Sequence, residues 1–318
     1  MPIVSDAKLL AGRLERTERD IRIAWYDLLD WLAVRWTQSK IAAAIARGDL
    51  TRLYADMDRA AAVFAQDLGA MVITSGQAVA GLVARAIGAP FSFEASAEPA
   101  IQFLRAQGLR IVREITEEQR GVFVQVISRG ISTGTNPREV ARGLRASLGL
   151  TRYQEQIVSN YRRALEQGSS NALDRALRDR RFDRAVENAV RGEIPLTRAQ
   201  IDLMTERYRQ RWIKYRAETI ARTEALRSVH QAAEETYRQA VERGDLDPTE
   251  IRRKWLAGRP PRTRESHTVM NGQLQPYGAP FVSGDGYHLR YPGDPSAPAA
   301  ETVNCRCVIV TRLEAAPV

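Results

Sequence analysis

Cysteine is nearly missing from this 318-residue chain: Cys305 and Cys307 are the only two, which excludes a disulfide framework, and the single residue between them closes too small a ring for a comfortable bridge. A reducing, intracellular origin is expected. Lysine is almost as scarce, with Lys8, Lys40, Lys214 and Lys254 the whole supply, so arginine carries the net charge of +9. Arginine forks pair bidentately with phosphate and carboxylate, which suits a polyanionic partner. A GC-rich genome that replaces lysine by arginine is the bland explanation of the same bias. Long apolar runs are lacking too. The longest apolar stretch without a charge, Leu68 to Ala84, falls short of the ~20 residues a bilayer requires and is interrupted by Gly69, Gly76 and Gly81. It reads as a buried helix, with transient membrane insertion as the alternative, and no stable membrane anchor is expected. Charges at Asp6, Lys8, Arg13, Glu15 and Arg16 leave no apolar core for a secretion signal. There is no Gly-rich phosphate loop and no carboxylate cluster for two metals, so nucleotide-binding, polymerase and nuclease chemistry are not expected.

What is present is helical periodicity. Ile21, Trp25, Leu28, Leu29, Leu32 and Trp36 recur at three- and four-residue steps, which predicts one amphipathic helix from Ser5 to about Arg47, broken at Gly48-Asp49. The aromatic stripe Trp25, Trp31, Trp36 reads as packing core. A second helix is predicted over 50–86, a connector over 87–96, and further helices over 97–114, 117–131, 137–147, 151–167, 169–191 and 197–243. Thr116 with Gln119, and Thr197 with Gln200, have the capping-box spacing, and Asn136-Pro137 opens the 137–147 helix. The alternating charges of the 169–191 segment read as a solvated face. Gly244 to Pro248 marks a boundary, beyond which proline and glycine become common and Thr302 to Val310 alternates like a strand. The fold class is therefore mainly α, a long helical N-terminal region followed by a small α+β C-terminal domain. Its divisions are expected at 1–96, 97–248 and 249–318.

Two rows are candidates for phosphate contact. One lies on the last long helix and includes Arg207, Arg211 and Lys214. The other, Arg252, Arg253, Lys254, Arg259, Arg262, contains no acid and is centred on Pro260-Pro261. Both suit salt-sensitive, sequence-independent contact with double-stranded DNA, and a solvated linker is the competing reading of the second.

Both cysteines and two of the three histidines fall in the last domain. In a strand Cys305 and Cys307 share a face and Arg306 opposes them. Two thiolates with His267 and His288 would suit structural zinc, which also helps a unit this small to hold together. Buried thiols acting as small hydrophobes are the alternative, and a Cys/His nucleophile is a third reading that lacks an orienting group and an oxyanion site. His230, alone on its helix, reads as a surface or partly packed residue. Tyr291 to Pro295 reads as a rigid turn.

Taken together, Ile220-Ala221-Arg222-Thr223-Glu224, Lys254-Trp255, Arg264 to His267, Asn271-Gly272-Gln273, Tyr291-Pro292-Gly293-Asp294-Pro295 and Asn304-Cys305-Arg306-Cys307 occur in the order of a known pattern. Over roughly 216–312 the chain resembles the C-terminal domain of phage Mu F-like minor head proteins, the bacteriophage head-morphogenesis family. One departure is that Ala257 to Arg262 has no acid where the family has one between the tryptophan and the Arg-x-x-His, so no role of that acid carries over.

The resemblance implies a minor capsid protein without enzymatic activity. It would associate with the portal protein and other head proteins in multiple copies, and with packaged double-stranded DNA inside the virion near the portal. Assembly would take place in the host cytoplasm. It also implies structural roles for Arg222, Glu224, Trp255, Arg264 and Asn304. Arg222 and Glu224 cannot face each other on a helix, so each is expected to brace the C-terminal domain. The competing readings are an effector enzyme delivered with the genome that uses the His/Cys cluster, and a sequence-independent DNA-binding protein with a structural zinc unit.

Overall fold

The structure, a computed structural model, describes residues 7–258 and 263–314; the predicted phosphate contacts Arg259 and Arg262 lie outside the described residues. Helices dominate: α1 (Ala7–Arg35), α2 (Gln38–Arg47), α3 (Thr51–Ile87), α4 (Glu98–Ser132), α5 (Pro137–Ala146), α6 (Arg152–Glu166), α7 (Asp183–Val190) and α8 (Arg198–Glu242). The remaining elements are β1 (Ile251–Leu256), α9 (Glu265–Thr268), β2 (Leu274–Pro276), β3 (Phe281–Val282), β4 (His288–Leu289), α10 (Ala299–Thr302) and β5 (Val308–Leu313). The expected mainly α chain with a small α+β C-terminal part is what the structure shows.

Three local expectations are corrected. The first predicted helix is two, because Thr37 caps α2 by accepting from Lys40 N at 3.3 Å. The helices predicted over 97–114 and 117–131 are one, α4. Thr116 sits inside it and bonds the Arg113 carbonyl at 3.2 Å, while Gln119 serves the distant Ser147 carbonyl and Gly149 N–H instead of a local cap. The 169–191 segment is not one helix but two single 3-10 turns and the short α7. By contrast, the capping box at Thr197 is formed: Gln200 N donates to Thr197 Oγ1 at 3.3 Å and Thr197 N to Gln200 Oε1 at 2.8 Å.

The chain forms two compact units, each assembled from discontinuous segments. One comprises the described residues of Tyr26–Ala62 and Ile111–Ala217. Its core gathers Leu150, Val158, Tyr161, Leu165, Met204 and Tyr208, with the Tyr161 and Tyr208 ring centroids 4.3 Å apart. A second aromatic contact, Trp36 against Phe123 at 5.2 Å, places Trp36 in the core as the stripe predicted.

The other unit comprises the described residues of Met1–Trp25, Val63–Arg110 and Glu218–Val318. Its three-stranded antiparallel sheet has the order β2-β1-β5, with Trp255 paired to Ile309 and Lys254 to Val310. β3 and β4 form a separate two-stranded ribbon. Strand alternation turns Ile251, Arg253 and Trp255 inward and leaves Arg252, Lys254 and Leu256 half-buried. In this unit α3 buries Val79 and Val83 beside Tyr237, Ala240 and Ile251. By length and composition α3 is also apolar enough to cross a membrane. Gly76 lets α3 approach the 88–97 connector, since a Cβ there would sit 2.7 Å from the Phe93 ring. Gln239 clamps that connector by accepting from Glu94 N at 2.8 Å and donating to its carbonyl at 2.9 Å.

Candidate metal centre

The site is built by three segments of the second unit. His267 lies on α9, a single turn whose backbone is held by bonds from His267 N and Thr268 N to the Arg264 carbonyl. The Asn271-Gly272-Gln273 turn fixes α9 against β1: Gly272 N donates to the Trp255 carbonyl at 2.8 Å and Trp255 N to the Gln273 carbonyl at 3.0 Å. Gly272 has φ +86°, which a side chain would strain. Trp255, fully buried, stands edge-on to the His267 ring with centroids 5.6 Å apart.

Cys305 and Cys307 lie just before β5, not within a strand, yet the predicted alternation holds: both thiols are buried and Arg306 is exposed. A turn at Asn304 aims them. Asn304 takes φ +58°, a left-handed conformation that asparagine tolerates better than most side chains. It is gripped by α8 on three sides. Asn304 N donates to Thr223 Oγ1 at 3.1 Å, its Nδ2 to Thr219 Oγ1 at 3.3 Å, and Arg222 donates to its Oδ1 at 3.4 Å. Arg222 also pairs with Glu18 at 3.0 Å. Two residues on, Glu224 receives Arg110 at 2.8 Å and Arg227 at 2.6 Å, and Arg227 reaches Thr302. Arg264 donates to the Val303 carbonyl. The Ile220–Glu224 and Asn304–Cys307 segments are therefore halves of one brace.

Removing the Glu224 carboxylate leaves Arg110 and Arg227 facing each other with little solvent. Glu224→Ala is expected to cost about 1.5–3 kcal/mol, read as a lowered midpoint in denaturant unfolding of the full chain. Unchanged unfolding of both Glu224→Ala and Arg222→Ala would refute the brace.

At the centre, His267 Nδ1 lies 3.4 Å from Cys305 Sγ and 3.4 Å from Cys307 Sγ. Its Nε2 lies 2.8 Å from Glu301 Oε2, on α10, which also accepts from Ser266 Oγ at 3.3 Å. The ligand atoms of His267, Cys305 and Cys307 all fall within 4.8 Å of one another. Each of these side chains is 3% exposed or less, and so is Glu301. The hydrogen bond from Cys305 pulls the Cys307 thiol down to about 5 against the opposing effect of burial, with His267 adding to it. Cys305, as donor to Cys307 and buried, is pushed well above the ordinary thiol range. Burial disfavours the His267 imidazolium, but Cys307 and Glu301 outweigh it and raise the pKa.

The structure gathers only part of the expected ligand set. His288, on β4, is exposed and outside the cluster. His230, expected near the surface, is 3% exposed, and burial lowers it to about 4 against a hydrogen bond to the Cys307 backbone. Glu301 was not anticipated; nothing in its local sequence marks a carboxylate that turns toward a histidine 34 residues earlier.

Among the phosphate candidates, Arg253 is corrected. It is 1% exposed and bonds Glu234 at 3.0 Å, the Ala279 carbonyl at 2.6 Å and the Arg290 carbonyl at 3.2 Å, so no phosphate can reach it. Arg252 bonds the Thr249 carbonyl at 2.7 Å and Lys254 is half-buried. Arg207 and Arg211 are exposed, as is Lys214, and both arginines approach the buried Asp179, at 3.9 and 3.3 Å. Arg181 occupies the same carboxylate at 2.6 Å.

The Tyr291–Pro295 segment, expected to be a rigid turn, is a turn tied together by hydrogen bonds. Asp294, fully buried, accepts from Arg290 N and Nε at 2.9 and 3.0 Å and from Ser296 N at 3.0 Å. Burial works to raise its pKa, but those bonds prevail and hold the carboxyl below its usual range. Gly293, φ +85°, seats the turn on α8, where a Cβ would meet Arg227 at 3.2 Å.

Comparison with known families places a match to the model described as Phage Mu protein F like protein over residues 122–310, more than half the chain, from within α4 to within β5. Neither the curated proteins nor the solved structures compared with the chain include a match.

Proposed function

The chain belongs to the Phage Mu protein F like family of phage head-morphogenesis proteins, and from that premise we propose that it is a minor head component, present in several copies inside the virion near the portal. It binds the portal protein there and lies against packaged double-stranded DNA, after assembly in the host cytoplasm. The observation that carries this reading is the family match, which takes in every sequence landmark from Ile220 to Cys307. The structure adds support, because those landmarks form one braced unit in which Arg222 holds the turn that presents both thiols. The role is attachment and not turnover. Cys307, His267 and Glu301 do line up as a nucleophile, base and orienting acid would, but the burial of all three supports the structural reading.

DNA contact falls to Arg207, Arg211 and Lys214 and, on the other row, Arg252 and Lys254. Three arginines share the single Asp179 carboxylate, so positive charge remains in excess there. Binding of this kind neutralises phosphates without reading bases, so its affinity falls steeply with salt.

The test is co-purification. The full chain, expressed with the portal protein from the same genome, is expected to migrate with the portal ring on a sizing column. Separation of the two at physiological salt would overturn portal association.

A further inference from the structure

We propose that His267, Cys305 and Cys307 bind one zinc ion, with Glu301 as the carboxylate that orients the histidine, and that this ion is the clamp that closes the C-terminal fold.

Four features of the geometry point the same way. A zinc ion has Zn–N near ~2.0–2.1 Å and Zn–S near ~2.3 Å, so a nitrogen and a sulfur on two corners of its tetrahedron stand roughly 3.5 Å apart. His267 Nδ1 stands 3.4 Å from each sulfur. Equal spacing to two sulfurs is unusual for a hydrogen bond, since one nitrogen lone pair serves one S–H. It is natural for a shared cation between them.

Second, metal-bound histidines pass their other ring N–H to a carboxylate, which fixes the tautomer and makes the ligating nitrogen more basic. Glu301 does this on Nε2 at 2.8 Å and is itself held by Ser266 Oγ. A buried carboxylate is costly, and a histidine that merely fills the core does not need one.

Third, charge nearly closes. Two thiolates and a neutral imidazole balance Zn(II) beside the apolar side chains of Trp255, Met270 and Phe281, and the Glu301 carboxylate is the one negative charge left over. Protons leave as the ion enters, because both thiols bind as thiolates and the imidazole binds neutral.

Fourth, the fold has a use for the clamp. β2, β3 and β4 are only two or three residues long, so outside the β1–β5 pair the strands supply few backbone bonds. The proposed ligands join α9 to the segment before β5 across 38 residues, and Glu301 ties in α10.

Among the described residues no fourth His, Cys, Asp or Glu side chain joins the cluster, so these three side chains fill three of the four tetrahedral positions. His288 is not a ligand.

The experiment uses the full chain, purified without chelator, with metal content read by elemental analysis, then stripped and titrated with Co(II). About one zinc per chain is expected, together with a sulfur-to-cobalt charge-transfer band on titration. His288→Ala retains both. Cys307→Ser loses the zinc and weakens the band. Glu301→Gln keeps the band, since its ligands are intact, but binds about 10–100-fold more weakly. Should Cys307→Ser fail to fold, the wild-type cobalt spectrum and Glu301→Gln decide the matter. Wild-type chain with no stoichiometric zinc and no charge-transfer band overturns the proposal. So does loss of metal in His288→Ala, an unchanged affinity in Glu301→Gln, or loading with copper(I) alone.

Discussion

Trp255→Ala is expected to remove about 3–5 kcal/mol of stability from the unit that carries the site, the range for truncating a large aromatic in a closed core. Trp255 has no exposed surface and packs against two rings, His267 at 5.6 Å and Phe281 at 5.3 Å between centroids. Its loss opens a cavity between β1 and the turn that carries His267, so both the packing and the aim of the imidazole suffer. The indole N–H contributes little, because Nε1 has no hydrogen-bond partner. Trp255→Phe is therefore expected to cost under about 1.5 kcal/mol, as for a swap that keeps most of the volume. Denaturant unfolding of the two variants measures the difference. An alanine variant as stable as the phenylalanine one would mean that the site does not lean on this ring.

Arg253→Ala is expected to cost a similar ~3–5 kcal/mol, because removing one member of a buried ion pair strands the other. The guanidinium is 1% exposed and satisfies Glu234 and two backbone carbonyls, so all three lose their donor together. The loss depends on pH. Burial pushes the Glu234 carboxyl above its usual range and Arg253 pulls it back, so the variant's carboxyl rises further above its unfolded value. A group raised in the folded state stabilises only below its unfolded pKa, and that contribution fades as pH climbs through the folded one. The deficit against wild type is therefore largest at neutral pH and shrinks in mild acid. Arg253→Met with Glu234→Gln recovers part of it by removing the stranded charge while the carbonyls stay unpaired. A deficit under about 1 kcal/mol at neutral pH, typical of exposed pairs, would return Arg253 to the phosphate candidates.

The sequence held the clue to that arginine. Ile251, Arg253 and Trp255 are spaced two apart, and in a strand that spacing sends all three to one face. Reading Arg252 to Lys254 as a charge run hid the alternation. The same Thr-x-x-Gln spacing caps a helix at Thr197 but not at Thr116, and the chain just upstream explains why. Pro195 stops any helix before Thr197, whereas Val112 to Ile115 continue one. The break before α2 has no proline or glycine to announce it, only a threonine cap, and so it was illegible.

For the site, the motif spacing gave His267, Cys305 and Cys307, because period-two alternation survives even in the irregular segment before β5. It could not select between His288 and Glu301. That choice depends on where the turns after α9 and before α10 send the chain, and contacts across 34 residues leave no local pattern. His230 had a weak signal: Leu226, Ala233 and Tyr237 stand at i−4, i+3 and i+7 from it on α8, an apolar row that takes the histidine into the interior.

The account rests on this chain being a built-in part of the phage head. Quantitative mass spectrometry of purified, DNA-filled particles tests that most directly. The chain is expected among the particle proteins at a fixed multiple of the portal subunit, and retained when the outer surface is treated with protease. Its presence in infected-cell lysate together with absence from the particles would contradict the account.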